Sequence, residues 1–176
     1  MSARIDMGIN SVMETPQAVT KTSFRNAMSS FAGAVNIVTT DGAHGRAGFT
    51  ATAVCAVTDS PPTLLVCINR ESSAAPAFLG NNTLCVNTVG PAHHELAMLF
   101  GGKTSTEERF AAGDFVSSAA GYLVLTEAVV SFGCLITKRQ RMGTHDVMFC
   151  EVTEIVDRFG SQVSVWCRRK LHELTL

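Results

Sequence analysis

Pro61 and Pro62 stand back to back between two apolar, β-branched runs, and no other feature limits the folding of this chain as strongly. Proline fixes φ and lacks an amide hydrogen, so no helix runs through the pair and neither residue suits a central strand. Ala53-Val54-Cys55-Ala56-Val57-Thr58 and Thr63-Leu64-Leu65-Val66-Cys67-Ile68 are therefore separate strands, joined by a fixed turn at Asp59-Ser60-Pro61-Pro62. The same texture precedes them. Residues 34–40 are β-branched, Asp41-Gly42 opens a turn and Ala47-Gly48-Phe49-Thr50 resumes, which predicts a hairpin.

Further strands are predicted at 83–88, 128–136, 147–156 and 162–167. Between them the helical signals are short. Thr22 or Ser23 caps a helix whose packing face is Phe24, Ala27, Met28 and Phe31. Ser72 or Ser73 caps another, with Pro76 in its early turn and Gly80 near its end. Residues 93–110 form two helical pieces split by Gly101-Gly102, the second starting at Thr104 or Ser105 and supported by Glu107 and Glu108. About seven short strands with few helices suit a barrel better than an alternating parallel sheet. Residues 1–21 lack periodicity and read as a tail, leaving 22–176 as one domain.

Composition excludes several functions. Fourteen Lys+Arg against fifteen Asp+Glu give a formal charge of −1, so no global field attracts nucleic acid or acidic membrane. The first residues carry Arg4, Asp6 and Glu14 in place of a continuous apolar signal core, and no later run reaches membrane-span length. A cytoplasmic protein is expected. With 46% hydrophobic residues the chain lies on the apolar side of average, which leaves surface for a homodimer partner. The six cysteines are scattered through apolar strands without CxxC spacing, so free buried thiols and no structural metal are expected. The sequence has no GxGxxG, P-loop, GxSxG or HExxH. His93 and His94 are adjacent and read as surface polar residues.

One stretch is too specific to be only core: Gly45-Arg46-Ala47-Gly48-Phe49-Thr50-Ala51-Thr52-Ala53-Val54, followed by Val57-Thr58-Asp59-Ser60-Pro61-Pro62-Thr63-Leu64-Leu65 and Asn69-Arg70-Glu71-Ser72-Ser73. It resembles the flavin-binding core of the short-chain flavin reductases. That family includes reductase components of two-component monooxygenases and of bacterial pyrimidine degradation. The likeness continues through Leu84-Cys85-Val86-Asn87, Glu107-Glu108-Arg109-Phe110, Val130-Ser131-Phe132 and Gly143-Thr144-His145-Asp146.

The resemblance implies a mainly β fold, an FMN-binding split β-barrel of Greek-key type with short peripheral helices. It also implies a homodimer with flavin bound near the subunit interface. The implied activity is hydride transfer from NAD(P)H, with NADH favoured over NADPH, to FMN or FAD, and the reduced flavin leaves for a separate monooxygenase. A non-catalytic flavin- or haem-binding split barrel is the alternative.

Hydride transfer between two rings needs orientation more than titratable groups. Gly48, Thr50, Ala51, Thr52, Ala53 and Val54 would let backbone N–H groups approach the isoalloxazine edge. Asn69, Ser72 and Ser73 would meet the ribityl chain or phosphate, or simply cap a helix. Arg46 either pairs with a flavin phosphate or is an exposed turn residue. Arg109 either does the same or pairs with its acidic neighbours. The resemblance places His145 beside the nicotinamide, an ordinary strand-end histidine being the other reading. Arg169 and His172 match a family pattern near the cofactor, with Leu171 where an aromatic residue is common.

Overall fold

The computed structural model describes residues 18–158, 160 and 162–175. Most of the expected tail falls outside these residues. Its end is already structured, because Thr20 caps helix α1 (Lys21–Met28) in a capping box with Ser23. The cap thus precedes the expected Thr22 or Ser23.

Seven antiparallel strands build the split barrel: β2 (Asn36–Thr40), β3 (Ala47–Ala51), β4 (Val54–Asp59), β5 (Pro62–Asn69), β6 (Thr83–Thr88), β9 (Val130–Met142) and β10 (His145–Asp157). Their order is β3-β2-β6-β9-β10-β5-β4. The hairpin β2–β3 and the proline-joined pair β4–β5 are as expected from sequence, with Asp59 opposite Pro62 and a cis Ser60–Pro61 bond in the turn. Pro61 lies in the turn and Pro62 at the end of the ladder, where a missing N–H costs no central hydrogen bond.

A second sheet joins β1 (Gly33–Ala34), β11 (Gln162–Cys167) and β12 (Lys170–Thr175), and β7 (Phe115–Ser117) pairs with β8 (Leu123–Leu125). Period-2 patterning hides in pieces as short as β1, β7 and β8, and the six residues of β12 are exposed at all but Leu171, so they bear no buried stripe to read. β9 and β10 run thirteen residues each, longer than expected, because their polar ends continue the ladder as an exposed hairpin.

Alternation along the strands builds the two larger of three buried clusters. Val38, Val66, Ile68, Leu84, Val86, Met148 and Cys150 point into the barrel, with Phe49 and Phe78 in edge contact at 5.0 Å. Ile37 points the other way and joins Leu96, Phe100 and Leu125 beneath helix α3 (His94–Gly101). β2 is buried on both faces for this reason. Each fully buried side chain of this size contributes about 1.5–3 kcal/mol.

Helix α2 (Ala75–Gly80) starts at Ala74 without a side-chain cap, so Ser72 and Ser73 do not cap it; the Ser72 hydroxyl accepts the Ala74 N–H instead. Helix α4 (Thr106–Ala111) has the expected capping box, Ser105 with Glu108. The face of α1 departs from expectation. None of its residues is buried, and Phe24, Met28 and the following Phe31 are 57%, 44% and 73% exposed. No element among the described residues covers them; they border a groove with Gly33, Ala53 and Trp166. His93 and His94 are half-buried rather than surface residues. His94 Nε2 bonds Ser164 Oγ at 2.7 Å, and burial pushes the His93 imidazole below its ordinary value despite a hydrogen bond to the Thr126 backbone. Among the described residues no helix is long and apolar enough to cross a membrane.

Candidate active site

The corner between β3 and β4 forms the floor of a cleft of about 660 Å³. A volume of this order is usual for ligand clefts. Asn36 Nδ2 donates to the Ala51 carbonyl at 3.3 Å, and Cys67 N–H donates to the Ala53 carbonyl at 3.1 Å. With both carbonyls tied down, the chain turns so that the N–H groups of Thr52 and Ala53 have no protein acceptor among the described residues. Small side chains leave these donors open to the cleft.

Opposite them stand the end of β5 and the start of β10. Asn69 Oδ1 accepts the Glu71 N–H at 3.0 Å, which fixes the turn and leaves the Asn69 amide nitrogen as a donor. Ser72 and Ser73 follow on the same wall, and the Ser73 N–H lacks a protein acceptor among the described residues. His145 is exposed at the mouth, directly across the ladder from Asn69. It follows a two-residue turn in which Gly143 takes φ 58°, as the first position of a type II′ hairpin requires. Its Nδ1 lies 2.9 Å from Thr144 Oγ1, and its Nε2 has no hydrogen-bond partner among the described residues.

The third wall comes from the end of α3 and from α4: Phe100, Gly101, Gly102, Lys103 and Arg109. Arg109 is 4% exposed and mostly serves as a brace. It donates to the Gly48 carbonyl at 3.1 Å, the Gly102 carbonyl at 2.9 Å and Thr104 Oγ1 at 3.3 Å. A guanidinium has five N–H donors, so it can still offer charge and hydrogen bonds to a ligand. The Thr50 hydroxyl is likewise engaged, donating to the Ala97 carbonyl at 2.5 Å. Cys67 also lines the cleft, and burial first, with Cys55 nearby, raises its thiol pKa, so it stays protonated.

Ala51, Thr52, Ala53, Thr50, Asn69, Ser72, Ser73, Arg109 and His145 thus meet in one cleft. Five residues singled out in the sequence do not line it, among them His172, whose Nε2 lies 3.1 Å from the Cys167 carbonyl oxygen. Arg46 pairs with Asp41 at 2.7 Å and lies over the Phe110 ring. Gly48 is buried against Phe100, where only a glycine fits. Val54 packs on the barrel core. Arg169 lies in the neighbouring groove, its Nη2 2.7 Å from Asn26 Oδ1.

Sequence reasoning passed over Glu71, Lys103 and the Gly101-Gly102 pair. Two glycines followed by a lysine between helices was a signal for an open, donor-rich loop. The Lys103 N–H has no protein acceptor among the described residues, and its ammonium stands with Arg109 against the single carboxylate Glu71. The cleft therefore suits a ligand rich in acceptors and negative charge.

A flavin reductase like domain matches residues 28–175. The chain belongs to this flavin reductase family. A protein named FMN reductase (NADH) RutF from Pantoea ananatis is 56% identical over 142 residues, covering 81% of this flavin reductase and 75% of its own length. A solved candidate flavin reductase from Haemophilus somnus 129PT is 40% identical with TM-score 0.85, covering 89% of this chain and all of that one. The split-barrel fold also recurs, at TM-score 0.81 and 19% identity, in BorF, the flavin reductase component of a bacterial two-component tryptophan halogenase; the match covers 89% of this flavin reductase and 99% of BorF.

Proposed function

We propose that this chain oxidises NADH with FMN as acceptor and releases reduced flavin for a separate flavin-dependent oxygenase. The observation that carries the reading is the placement of unpaired backbone donors at Thr52 and Ala53 opposite Asn69 and His145 in one cleft. When bound, the flavin supplies an electron-poor ring that takes up the hydride leaving NADH, giving NAD⁺ and reduced flavin.

The chain's own groups orient the two molecules. Thr52 and Ala53 N–H groups donate to acceptors on the edge of the flavin ring and favour the negative charge that gathers there. Ser72, Ser73 and the Asn69 amide meet the ribityl hydroxyls. Lys103 and the free N–H groups of Arg109 hold the phosphate, supported by the Lys103 backbone N–H. His145 packs its ring at the mouth against the nicotinamide. Arg46, Gly48, Val54 and Arg169 act at one remove, by fold or by the adjoining groove. The Pantoea relative, an FMN reductase (NADH), supports FMN and NADH as the pair, and BorF, one part of a two-component halogenase, supports a separate flavin-using partner.

Purified protein mixed with NADH or NADPH and each of FMN, FAD and riboflavin tests the reading through the nicotinamide absorbance. Fastest oxidation with NADH and FMN is expected; no flavin-dependent oxidation with any pair sinks it. A homodimer belongs to the same proposal, since the apolar residues Phe24, Met28 and Phe31 stand exposed beside a groove that shares Thr52 and Ala53 with the cleft. Light scattering during size exclusion checks it, and a monomeric mass across micromolar concentrations refutes it.

A further inference from the structure

Asp146 is a buried carboxylate for which the proposed reaction has no use. It is 3% exposed, and its Oδ2 receives Arg70 Nη1 at 2.7 Å. A charge so far from water needs a reason, because an apolar residue of similar size costs nothing to desolvate. Its position supplies one. Asp146 follows His145 in β10, and Arg70 follows Asn69 at the end of β5. In the ladder His145 faces Asn69, and Asp146 faces Ile68.

Side chains alternate along a strand, so Asn69 and His145 point to one face and Ile68, Arg70 and Asp146 to the other. The ion pair therefore bridges the two strands on the reverse side of the same ladder rung that presents Asn69 and His145 to the cleft. One more bond completes the arrangement: the Arg70 N–H donates to the Thr144 carbonyl at 3.0 Å, within the tight turn that precedes His145. Beyond this rung β5 leaves the sheet, while the β9–β10 turn projects into water with Met142, Gly143, Thr144 and His145 all exposed. Without a clamp the end of such a hairpin frays.

We propose that Arg70 and Asp146 are positioning residues that lock the β5 end to the β9–β10 turn and so fix His145 for nicotinamide binding. The inference rests on the proposed function, in which His145 meets the nicotinamide. Neither member of the pair touches substrate; the effect passes through the backbone of residues 144–146.

The test compares Asp146→Asn, the charge-free double variant Arg70→Met/Asp146→Leu, and His145→Ala with the wild type. Tm, FMN dissociation constant, and kcat and KM for NADH are measured for each. Asp146→Asn is expected to lower kcat/KM for NADH about ten- to a hundredfold, the scale of a displaced orienting group, with FMN affinity within about twofold. The double variant is expected to regain Tm, since removing both partners leaves no buried charge unpaired at Asp146, beside the 37% exposed Arg70 side chain, yet to keep the kinetic defect. Recovery of Tm and kcat/KM together means that the pair serves stability alone and overturns the inference, as does wild-type NADH kinetics in Asp146→Asn. If Asp146→Asn fails to fold, the double variant alone decides. Wild-type NADH kinetics in His145→Ala instead removes the parent reading, and the clamp's role falls with it.

Discussion

Asn69 and His145 are direct partners across the β5–β10 ladder, so one rung of the sheet supplies both side chains on the wall facing Thr52 and Ala53. Both side chains are exposed, Asn69 beside Ser72 and His145 at the end of the β9–β10 hairpin. Under the proposed function Asn69 serves the flavin and His145 the nicotinamide. His145→Ala should raise the NADH KM about tenfold, the loss of roughly 1.4 kcal/mol of contact, and leave the FMN dissociation constant within about twofold. Fluorescence titration with FMN and steady-state kinetics with NADH separate the two, and equal loss of both assigns His145 to structure.

Much of this rung was legible in the sequence, and the reasons differ by residue. Pro61-Pro62 forced β4 and β5 apart, and the β-branched runs gave the barrel strands. The helix positions followed from Ser105, Glu108 and the glycine pair. What escaped depends on contacts between distant segments. Nothing local tells that Arg109 braces Gly48 and Gly102, that Arg46 turns to Asp41, or that Arg70 reaches Asp146. Family likeness could place these residues near a flavin but could not separate those facing the cleft from those behind its wall. The exposed face of α1 misled for a related reason. Helical spacing reports an apolar stripe, not whether the same chain covers it.

Gly48 is needed for packing. A Cβ there would lie 2.5 Å from Phe100 Cε1 and 3.2 Å from the Val38 carbonyl oxygen. Phe100 is 1% exposed and wedged against Phe110 at 5.2 Å, so the ring has nowhere to go. Gly48→Ala should destabilise by about 1–3 kcal/mol through overpacking, a Tm drop of about 2–12 °C for a chain this size. The same shift would push Phe100 and the Gly101-Gly102 loop toward the cleft, so FMN affinity should fall too. An unchanged Tm refutes the close approach.

The β11–β12 hairpin turns through Arg168 at φ 49° and Arg169 at φ 61°. Two positive φ values mark a type I′ turn, which favours glycine or asparagine and strains arginine by about 1 kcal/mol or more. Arg169→Gly relieves that strain and loses one exposed hydrogen bond to Asn26, a smaller quantity. Tm should rise by about 1–4 °C. A fall would mean that the arginine contacts outweigh the backbone.

The barrel carries three buried thiols whose ionisation links stability to alkaline pH. Cys85, Cys134 and Cys150 are at most 1% exposed. Burial pushes Cys85 up to about 12, helped by Glu154, and pushes Cys150 up to about 12 against a smaller lowering by Arg139. Burial also raises Cys134, with Cys150 and Cys85 adding to the effect. Unfolding returns each thiol to its ordinary value of 9.0. Above that pH the unfolded chain gives up protons that the folded chain keeps, so stability is intact below about 9 and falls as pH rises toward 12. At pH 10 each thiol should cost about 1.4 kcal/mol. Cys85→Ala loses packing at every pH but removes one of these ionisations, so its urea midpoint should fall less steeply than the wild type's between pH 8 and pH 10, on the order of 1.4 kcal/mol less in total. Parallel pH profiles for the two proteins would show that Cys85 ionises as readily in the barrel as in the open chain.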